Sequence, residues 1–360
     1  QFNFKFSGSL SSDFDHLDNA HLNAQWRLSA SNLEEKIYGT HGSINSSGTI
    51  SGTPSQPTVQ GKLAANDFSL SHFYAKSLQA AFNVSPESDN VISADINAKD
   101  IFYDEHGVKS VALSAAGNTK KHTIKLRIQG SHNEELQTTI DAGYTNNQWL
   151  GKLADLRINV NPNMHWKLIQ SSNFILSESD NKLDETCLAY ENSKVCTSLE
   201  KNNQILNALV SLTDIDLALL NARLNDRSKL AGHLDGKANI SYNQENQHIQ
   251  LKADAALDNA FYDYSQNNKQ HHLAINHATF SSKLGEQGFN NNLLLFVNDN
   301  EELKANFSMP NYQGHGLPDG DEVIAGQLTT YIDNLDLLTA FTNDLDDPKG
   351  VVKGALTISG

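Results

Sequence analysis

The chain has 360 residues, of which 38% are hydrophobic, and a formal net charge of −15 at pH 7. The acidic excess is spread along the chain and argues against nucleic acid, because phosphate binding needs clustered Lys and Arg. The low hydrophobic content favours a sheet with one apolar and one solvated face. The longest apolar run, Leu293–Val297, is far below the roughly 20 residues of a membrane-spanning helix.

Alternating apolar and polar residues predict strands from the first residues onward. Phe4 and Phe6 share one face of the first strand, and residues 20–30 form the next. The clearest stretch is 48–70, which predicts strand, turn and strand. Here Gly48 and Gly61 are expected to punctuate the strands, since glycine is a common breaker of regular structure.

Short phrases recur along the chain. Leu356–Gly360 echoes Gly48–Gly52, and Leu230–Ile240 lies between them. Divergent copies of one supersecondary unit predict an array in which each unit mainly contacts its neighbours. Two apolar runs without alternation, Leu217–Leu220 and Leu337–Phe341, predict short helices.

The pattern of apolar and polar residues divides the sequence into three segments, residues 1–147, 148–236 and 237–360. The first and last are repeats of alternating strands, and the middle one contains both cysteines. Within these segments, one face of the predicted strands is apolar. Its candidate functional positions are Ile92, Ala94, Ile96, Val111, Leu113, Ile124, Leu126, Ile128, Leu251, Ala253, Leu257, Leu293 and Leu295.

Cys187 and Cys196 are the two cysteines of the chain. Their spacing suits a disulfide across a hairpin or one that closes a short loop, and no further ligands flank them at metal spacing. We expect a structural disulfide, and hence an oxidising compartment. We expect no metal and no cofactor, because neither the histidines, such as His271, nor the acidic run Asp344–Asp347 matches a metal-binding pattern. The chain also lacks nucleophile and phosphate-loop motifs, so an enzyme is not expected.

The phrase from Gly48 to Leu70 resembles the repeated phrase of the TamB proteins, which belong to the wider AsmA-like group. The order of Trp149–Leu153, Trp166–Leu168, Cys187 and Cys196 is similar to the central part of those proteins. The resemblance covers most of the chain, and we expect a central fragment of a longer array.

The resemblance implies an all-β fold: an elongated, curved open sheet, folded like a taco around an apolar groove, with a few short helices. It implies a periplasmic location in a Gram-negative bacterium, within a protein anchored to the inner membrane. The apolar positions named above would then line a conduit for phospholipid acyl chains between the two membranes. The resemblance also implies a TamA-type outer-membrane barrel partner, contacted through regions outside this chain.

Two other hypotheses compete with the conduit. A chaperone-like scaffold would offer sheet edges to nascent outer-membrane strands by β-augmentation. A structural β array would close its apolar face with a second sheet. The apolar face discriminates among them: a conduit needs a row without charges, a scaffold needs free edges, and a closed array needs large residues that fill a core.

Overall fold

The computed structural model describes residues 2–11, 21–34, 39–53, 56–85, 91–161, 163–224, 228–266, 269–297, 301–315, 318, 321–333 and 350–360. The chain divides into two compact units, Gln1–Glu178 and Ser179–Gly360. In both units the described strand pairs are antiparallel, and the all-β prediction is confirmed. The division into three segments stays a prediction.

The described residues of unit 1 form twelve strands. They are β1 (Phe2–Ser11), β2 (His21–Ala30), β3 (Thr40–Thr53), β4 (Gln56–Leu70), β5 (Phe73–Ser85), β6 (Val91–Tyr103), β7 (His106–Asn118), β8 (His122–Gln129), β9 (Glu135–Thr145), β10 (Gln148–Asn161), β11 (Met164–Leu168) and β12 (Ser172–Leu176). From β1 to β10 each strand pairs with the next. The far edge of β10 is shared, because its first half pairs with β12 and its second half with β11.

In unit 2 the part of the chain that the structure describes forms ten strands, each paired with the next. They are β13 (Asp180–Tyr190), β14 (Ser193–Asn202), β15 (Ile205–Asp216), β16 (Ser228–Asn243), β17 (His248–Gln266), β18 (Lys269–Gly285), β19 (Gly288–Val297), β20 (Glu301–Met309), β21 (Ala325–Ile332) and β22 (Val352–Ser359).

A short helix follows β15, as the run Leu217–Leu220 predicted. It is a 3₁₀ helix over Leu217–Arg223, and the Asp216 carboxylate accepts a hydrogen bond from the backbone N–H of Ala218 at 2.8 Å. This is the N-cap arrangement that satisfies a free donor of the first turn. The second predicted helix, Leu337–Phe341, lies outside the described residues.

The prediction that glycines punctuate the strands near residue 50 is wrong. β3 continues through Gly48, and β4 continues through both Pro57 and Gly61. The glycines lie inside the strands because aromatic rings occupy the space where their side chains would be. An added Cβ on Gly48 would collide with the Trp26 ring, and one on Gly61 would come 2.6 Å from the Phe82 ring.

Candidate functional site: the apolar face of each unit

Residues directly opposite one another on antiparallel strands share one face of the sheet, so rows of side chains can be followed from strand to strand. One such row crosses ten strands of unit 1 and contains no polar side chain. This central row of unit 1 consists of Phe6, Trp26, Gly48, Gly61, Phe82, Ala94, Ala115, Ile124, Ile140 and Leu153.

Three further rows lie beside the central row on the same face. One contains Ile96, Leu113 and Leu126, and another contains Val111 and Ile128. The third contains Ile92 and reaches Gly117, His122, Ala142, Gly151 and Phe174. The structure therefore brings all the candidate positions of unit 1 to one face, which we call the apolar face of unit 1.

Unit 2 has a matching row across its ten described strands. This central row of unit 2 consists of Leu188, Val195, Leu212, Gly236, Ala255, Phe280, Leu293, Ala305, Leu328 and Leu356. The remaining candidate positions lie in neighbouring rows of the same face: Leu251 opposite Leu284, Ala253 opposite Ser282, and Leu257 and Leu295 both opposite Ala278.

The large apolar side chains of these faces are only partly covered. Phe280 is 41% exposed and Leu293 is 37% exposed, and Phe82 and Leu356 also rank among the exposed hydrophobic residues. The buried hydrophobic residues in the described part of the chain are mostly small, with Ala75 and Ala30 the most deeply buried. Such faces differ from a closed sandwich, in which large residues from two sheets interdigitate.

The opposite face is polar. Lys125 and Arg127, which alternate with the apolar residues of β8, are exposed. Arg127 forms an ion pair with Glu135. A hydrogen bond from Gln137, together with the neighbouring Arg127, holds the pKa of the Glu135 carboxyl below its usual value.

Open depressions lie against the sheet in both units, with volumes of ≈ 580 Å³ in unit 1 and ≈ 860 and ≈ 800 Å³ in unit 2. The depression of ≈ 800 Å³ is lined by six strands. Each contributes its central-row residue together with the residues before and after it, as β15 does with Ser211, Leu212 and Thr213. Because alternate residues share a face, most of this lining belongs to the polar face. Lipid binding therefore has to be argued from the apolar rows and not from an enclosed cavity.

The predicted disulfide is present. Cys187 on β13 lies directly opposite Cys196 on β14, with the two Cα atoms 4.0 Å apart, so the bond joins the strands of a hairpin. Among the described residues, the one group with the composition of a metal site is formed by these two cysteines and Glu185. The disulfide occupies both sulfurs, which removes the thiolates that a metal would require. Asp344–Asp347 and the His271 side chain lie outside the described part of the chain.

Sequence reasoning missed how aromatic rings and glycines combine on the apolar face. Trp26 lies over Gly48, and its indole N–H donates to Ser46 at 3.0 Å. The ring of Phe174 likewise occupies the space above Gly151. The signal was present as aromatic residues in strands with interior glycines, but only the register shows which ring covers which glycine.

Comparison with known proteins identifies one related family. The family model described as "TamB, N-terminal domain" matches residues 15–360. The sequence phrases resembled the central part of such proteins, whereas the matching model is that of their N-terminal domain. No solved structure matches the chain. Within the described residues, none of the helices has the length and apolar character required to cross a membrane.

Proposed function

This chain belongs to the TamB family, and on that premise we propose that its apolar faces conduct phospholipid acyl chains between the inner and outer membranes. The family is linked to assembly of the outer membrane. Lipid passage through the periplasm is the specific contribution proposed here.

The central rows carry the proposal. Each crosses ten strands without a charged or polar side chain. At a strand spacing of about 4.8 Å, nine intervals correspond to about 43 Å of continuous apolar surface. Each CH₂ group kept out of water is worth about 0.8 kcal/mol, so a chain of about 15 CH₂ groups represents about 12 kcal/mol. A row without interruptions supports movement because it lowers that cost at every step.

The composition of the rows also favours sliding over storage. Small residues such as Ala94, Ala115, Ala255 and Ala305 are interspersed among large ones, so shallow sites recur along each row. Similar neighbouring sites differ little in free energy, and a bound chain then meets no deep minimum. We propose that no covalent chemistry takes place and that the lining itself is the functional element.

The partial exposure of the large apolar residues favours a conduit over a closed structural array. A closed array would bury residues such as Phe280 and Leu293 beneath a second layer, yet more than a third of each remains accessible. In the proposed setting the polar face meets periplasmic water. A TamA-type barrel remains the expected protein partner, through regions outside this chain.

The test is to express the chain in the periplasm, purify it without detergent, and identify bound lipids by mass spectrometry. We expect phospholipid to copurify and to crosslink, through a photoreactive acyl chain, to central-row residues such as Ile124 and Leu293. Crosslinks confined to polar-face residues such as Lys125, or no copurified lipid, would contradict the proposal.

A further inference from the structure

One titratable side chain interrupts the apolar face of unit 1. The central row and its three neighbouring rows are otherwise built from uncharged residues, and His122 is the exception. It lies between Gly117 and Ala142, at the start of β8 and next to the β7–β8 turn. A histidine in this position is costly unless its ring nitrogens have partners.

Only one nitrogen of His122 has a partner. The Nδ1 atom is 2.9 Å from the carbonyl oxygen of Asn118, so Nδ1 is the donor and carries the proton. The neutral ring then has Nε2 as a hydrogen-bond acceptor. His122 is 5% exposed, and its Nε2 atom is buried without a partner. A buried acceptor left unpaired costs free energy, which a ligand carrying a suitable donor would recover.

Two amphipathic aromatic residues stand beside this histidine on the same face. The Trp149 ring lies 4.9 Å from the His122 ring at 82°, and the Tyr144 ring lies 5.6 Å from that of Trp149. Trp149 is 40% exposed and Tyr144 is 42% exposed. Trp and Tyr commonly occupy the boundary between apolar chains and polar headgroups, because each combines an apolar body with a polar tip.

The β7–β8 turn places two cations at the same edge. Lys120 and Lys121 are exposed, and neither forms an ion pair with a carboxylate in the described part of the chain. The turn is fixed, since the N–H of Asn118 donates to the Lys121 carbonyl at 2.7 Å and the N–H of Tyr144 donates to the Thr119 carbonyl at 2.7 Å.

The same turn packs against the end of β9. A Cβ added to Gly143 would collide with the carbonyl of Lys120. Because Gly143 alternates with Ala142 and Tyr144, its Cβ would point to the polar face, so the glycine lets the turn pack against that side of β9 next to Tyr144. The lysines, the aromatic pair and His122 are thus held together at one edge of the sheet.

We propose that this edge is a headgroup subsite for a phospholipid, an inference that rests on the proposed function. The acyl chains lie on the apolar rows, and Lys120 and Lys121 bind the phosphate. A donor on the headgroup, either an ammonium or a hydroxyl, reaches Nε2 of His122 when the exposed Trp149 ring moves aside. The subsite selects phosphoethanolamine and phosphoglycerol headgroups, because phosphocholine has no N–H or O–H donor.

The selectivity can be measured with an equimolar mixture of phosphatidylethanolamine, phosphatidylglycerol and phosphatidylcholine that have identical acyl chains. Lipid bound to the purified chain is quantified by mass spectrometry. We expect the first two lipids to exceed phosphatidylcholine by about fivefold, the ratio that corresponds to one hydrogen bond of about 1 kcal/mol.

Variants separate the contributions of the groups. His122→Phe retains an aromatic ring beside Trp149 and should remove the preference without reducing total bound lipid. The double change Lys120→Gln and Lys121→Gln, on an exposed turn, should lower binding of all three phospholipids relative to diacylglycerol. Lys125→Gln on the polar face is the matched control and should change neither quantity. A preference unaltered in His122→Phe, or a preference for phosphatidylcholine, would overturn the subsite.

The source of the phosphate is tested separately. Inorganic phosphate at millimolar concentration should not displace bound phospholipid, since it lacks the acyl chains that supply most of the binding. Displacement would indicate a site for free phosphate and overturn the headgroup assignment. If the unmodified chain binds no lipid at all, the proposed function itself fails, whereas unselective lipid binding contradicts the subsite alone.

Discussion

The two central rows both form a continuous apolar surface, but they use different side chains to do so. The surroundings of their glycines show the difference most clearly. In unit 1, Gly48 and Gly61 lie beneath the rings of Trp26 and Phe82. In unit 2, the atoms nearest to an added Cβ on Gly236 are 3.6 Å away, which is ordinary van der Waals contact. The neighbouring rings leave no space for a side chain at Gly48 or Gly61, whereas the space beside Gly236 is open.

The difference shows that a repeated sequence phrase need not have a repeated structural role. The dipeptides Gly61–Lys62 and Gly236–Lys237 look alike as sequence, and both glycines belong to a central row. In unit 1 the aromatic ring occupies the space that the glycine leaves free, so the ring provides the apolar surface at that position. In unit 2 aliphatic side chains such as Leu212 provide the surface directly.

The largest expected effect is the loss of lipid from a charge placed on either apolar face. Leu126→Arg in unit 1 and Leu293→Arg in unit 2 should each reduce copurified lipid by about a hundredfold, since a charge among acyl chains costs about 2.5–3.5 kcal/mol and each 1.4 kcal/mol is a factor of about ten. Circular dichroism should show that both variants fold, because the faces are partly exposed. Lys125→Glu on the polar face is the control and should retain its lipid.

Two results would contradict this expectation. If Leu126→Arg unfolds the chain, the face of unit 1 acts as a sealed core, and the closed-array hypothesis gains. If both arginine variants fold and retain lipid, the apolar rows do not carry acyl chains. A loss in only one variant would show that the two units contribute unequally.

The disulfide lies in unit 2, so its removal should affect the stability of unit 2 and not that of unit 1. Cys187→Ser combined with Cys196→Ser should lower the free energy of unfolding of unit 2 by about 2–3 kcal/mol, the chain-entropy estimate for a short loop. Hydrogen exchange followed by mass spectrometry should localise the change to β13 and β14. Faster exchange throughout unit 1 as well would contradict a local role for the bond. Free thiols in a peptide map of periplasmic protein would contradict the bond itself.

The glycine comparison predicts opposite signs for the same substitution. Gly48→Ala should destabilise the chain by about 1–3 kcal/mol, the usual cost of overpacking. Gly236→Ala should be neutral or stabilise by up to about 1 kcal/mol, because glycine inside a strand is itself unfavourable. Denaturant midpoints measure both. In a Trp26→Ala background the Gly48→Ala change should cost less than it does in the unmodified chain, in proportion to the part of the clash that comes from the ring and not from the Gln60 carbonyl.

The alternation of apolar and polar residues predicts which side chains of a strand share a face, but it does not predict which residues of neighbouring strands lie opposite one another. The side-chain period of a strand is two, so β8 had to place Ile124, Leu126 and Ile128 on one side and Lys125 and Arg127 on the other. Which residue of β9 lies opposite Ile124 depends on the length and geometry of the intervening turn. For that reason the sequence indicated the apolar face correctly and yet gave no sign that Phe174 covers Gly151.

Local backbone geometry explains another part of what the sequence left open. The low hydrophobic content favoured a sheet with one solvated face, but many short polar residues have a conformational role. In the described part of the chain, nine of the twelve non-glycine residues with positive φ are Asn or Asp, including Asn146 and Asn147 of the β9–β10 turn. These residues tolerate the left-handed region because their side chains hydrogen-bond locally. A composition count cannot separate that role from solvation.

The smallest expected effect compares ion pairs on the polar faces. In unit 1, the Glu135 side chain is 16% exposed, and hydrogen bonding from Gln137 and the neighbouring Arg127 lower its pKa below the ordinary value of 4.5. The stability it contributes is therefore present above about pH 4.5 and is lost as the pH falls through the lower folded-state pKa. Glu135→Gln should lower the free energy of unfolding by no more than about 1 kcal/mol at pH 7, and the free energy of unfolding should then fall less steeply as the pH is lowered.

In unit 2, Lys182 and Asp184 are 3.0 Å apart but half exposed, so Lys182→Gln should leave the denaturant midpoint unchanged. Measuring both variants from pH 3 to 7 tests the contrast, and equal losses at pH 7 would show that shielding of Glu135 is not what separates the two pairs.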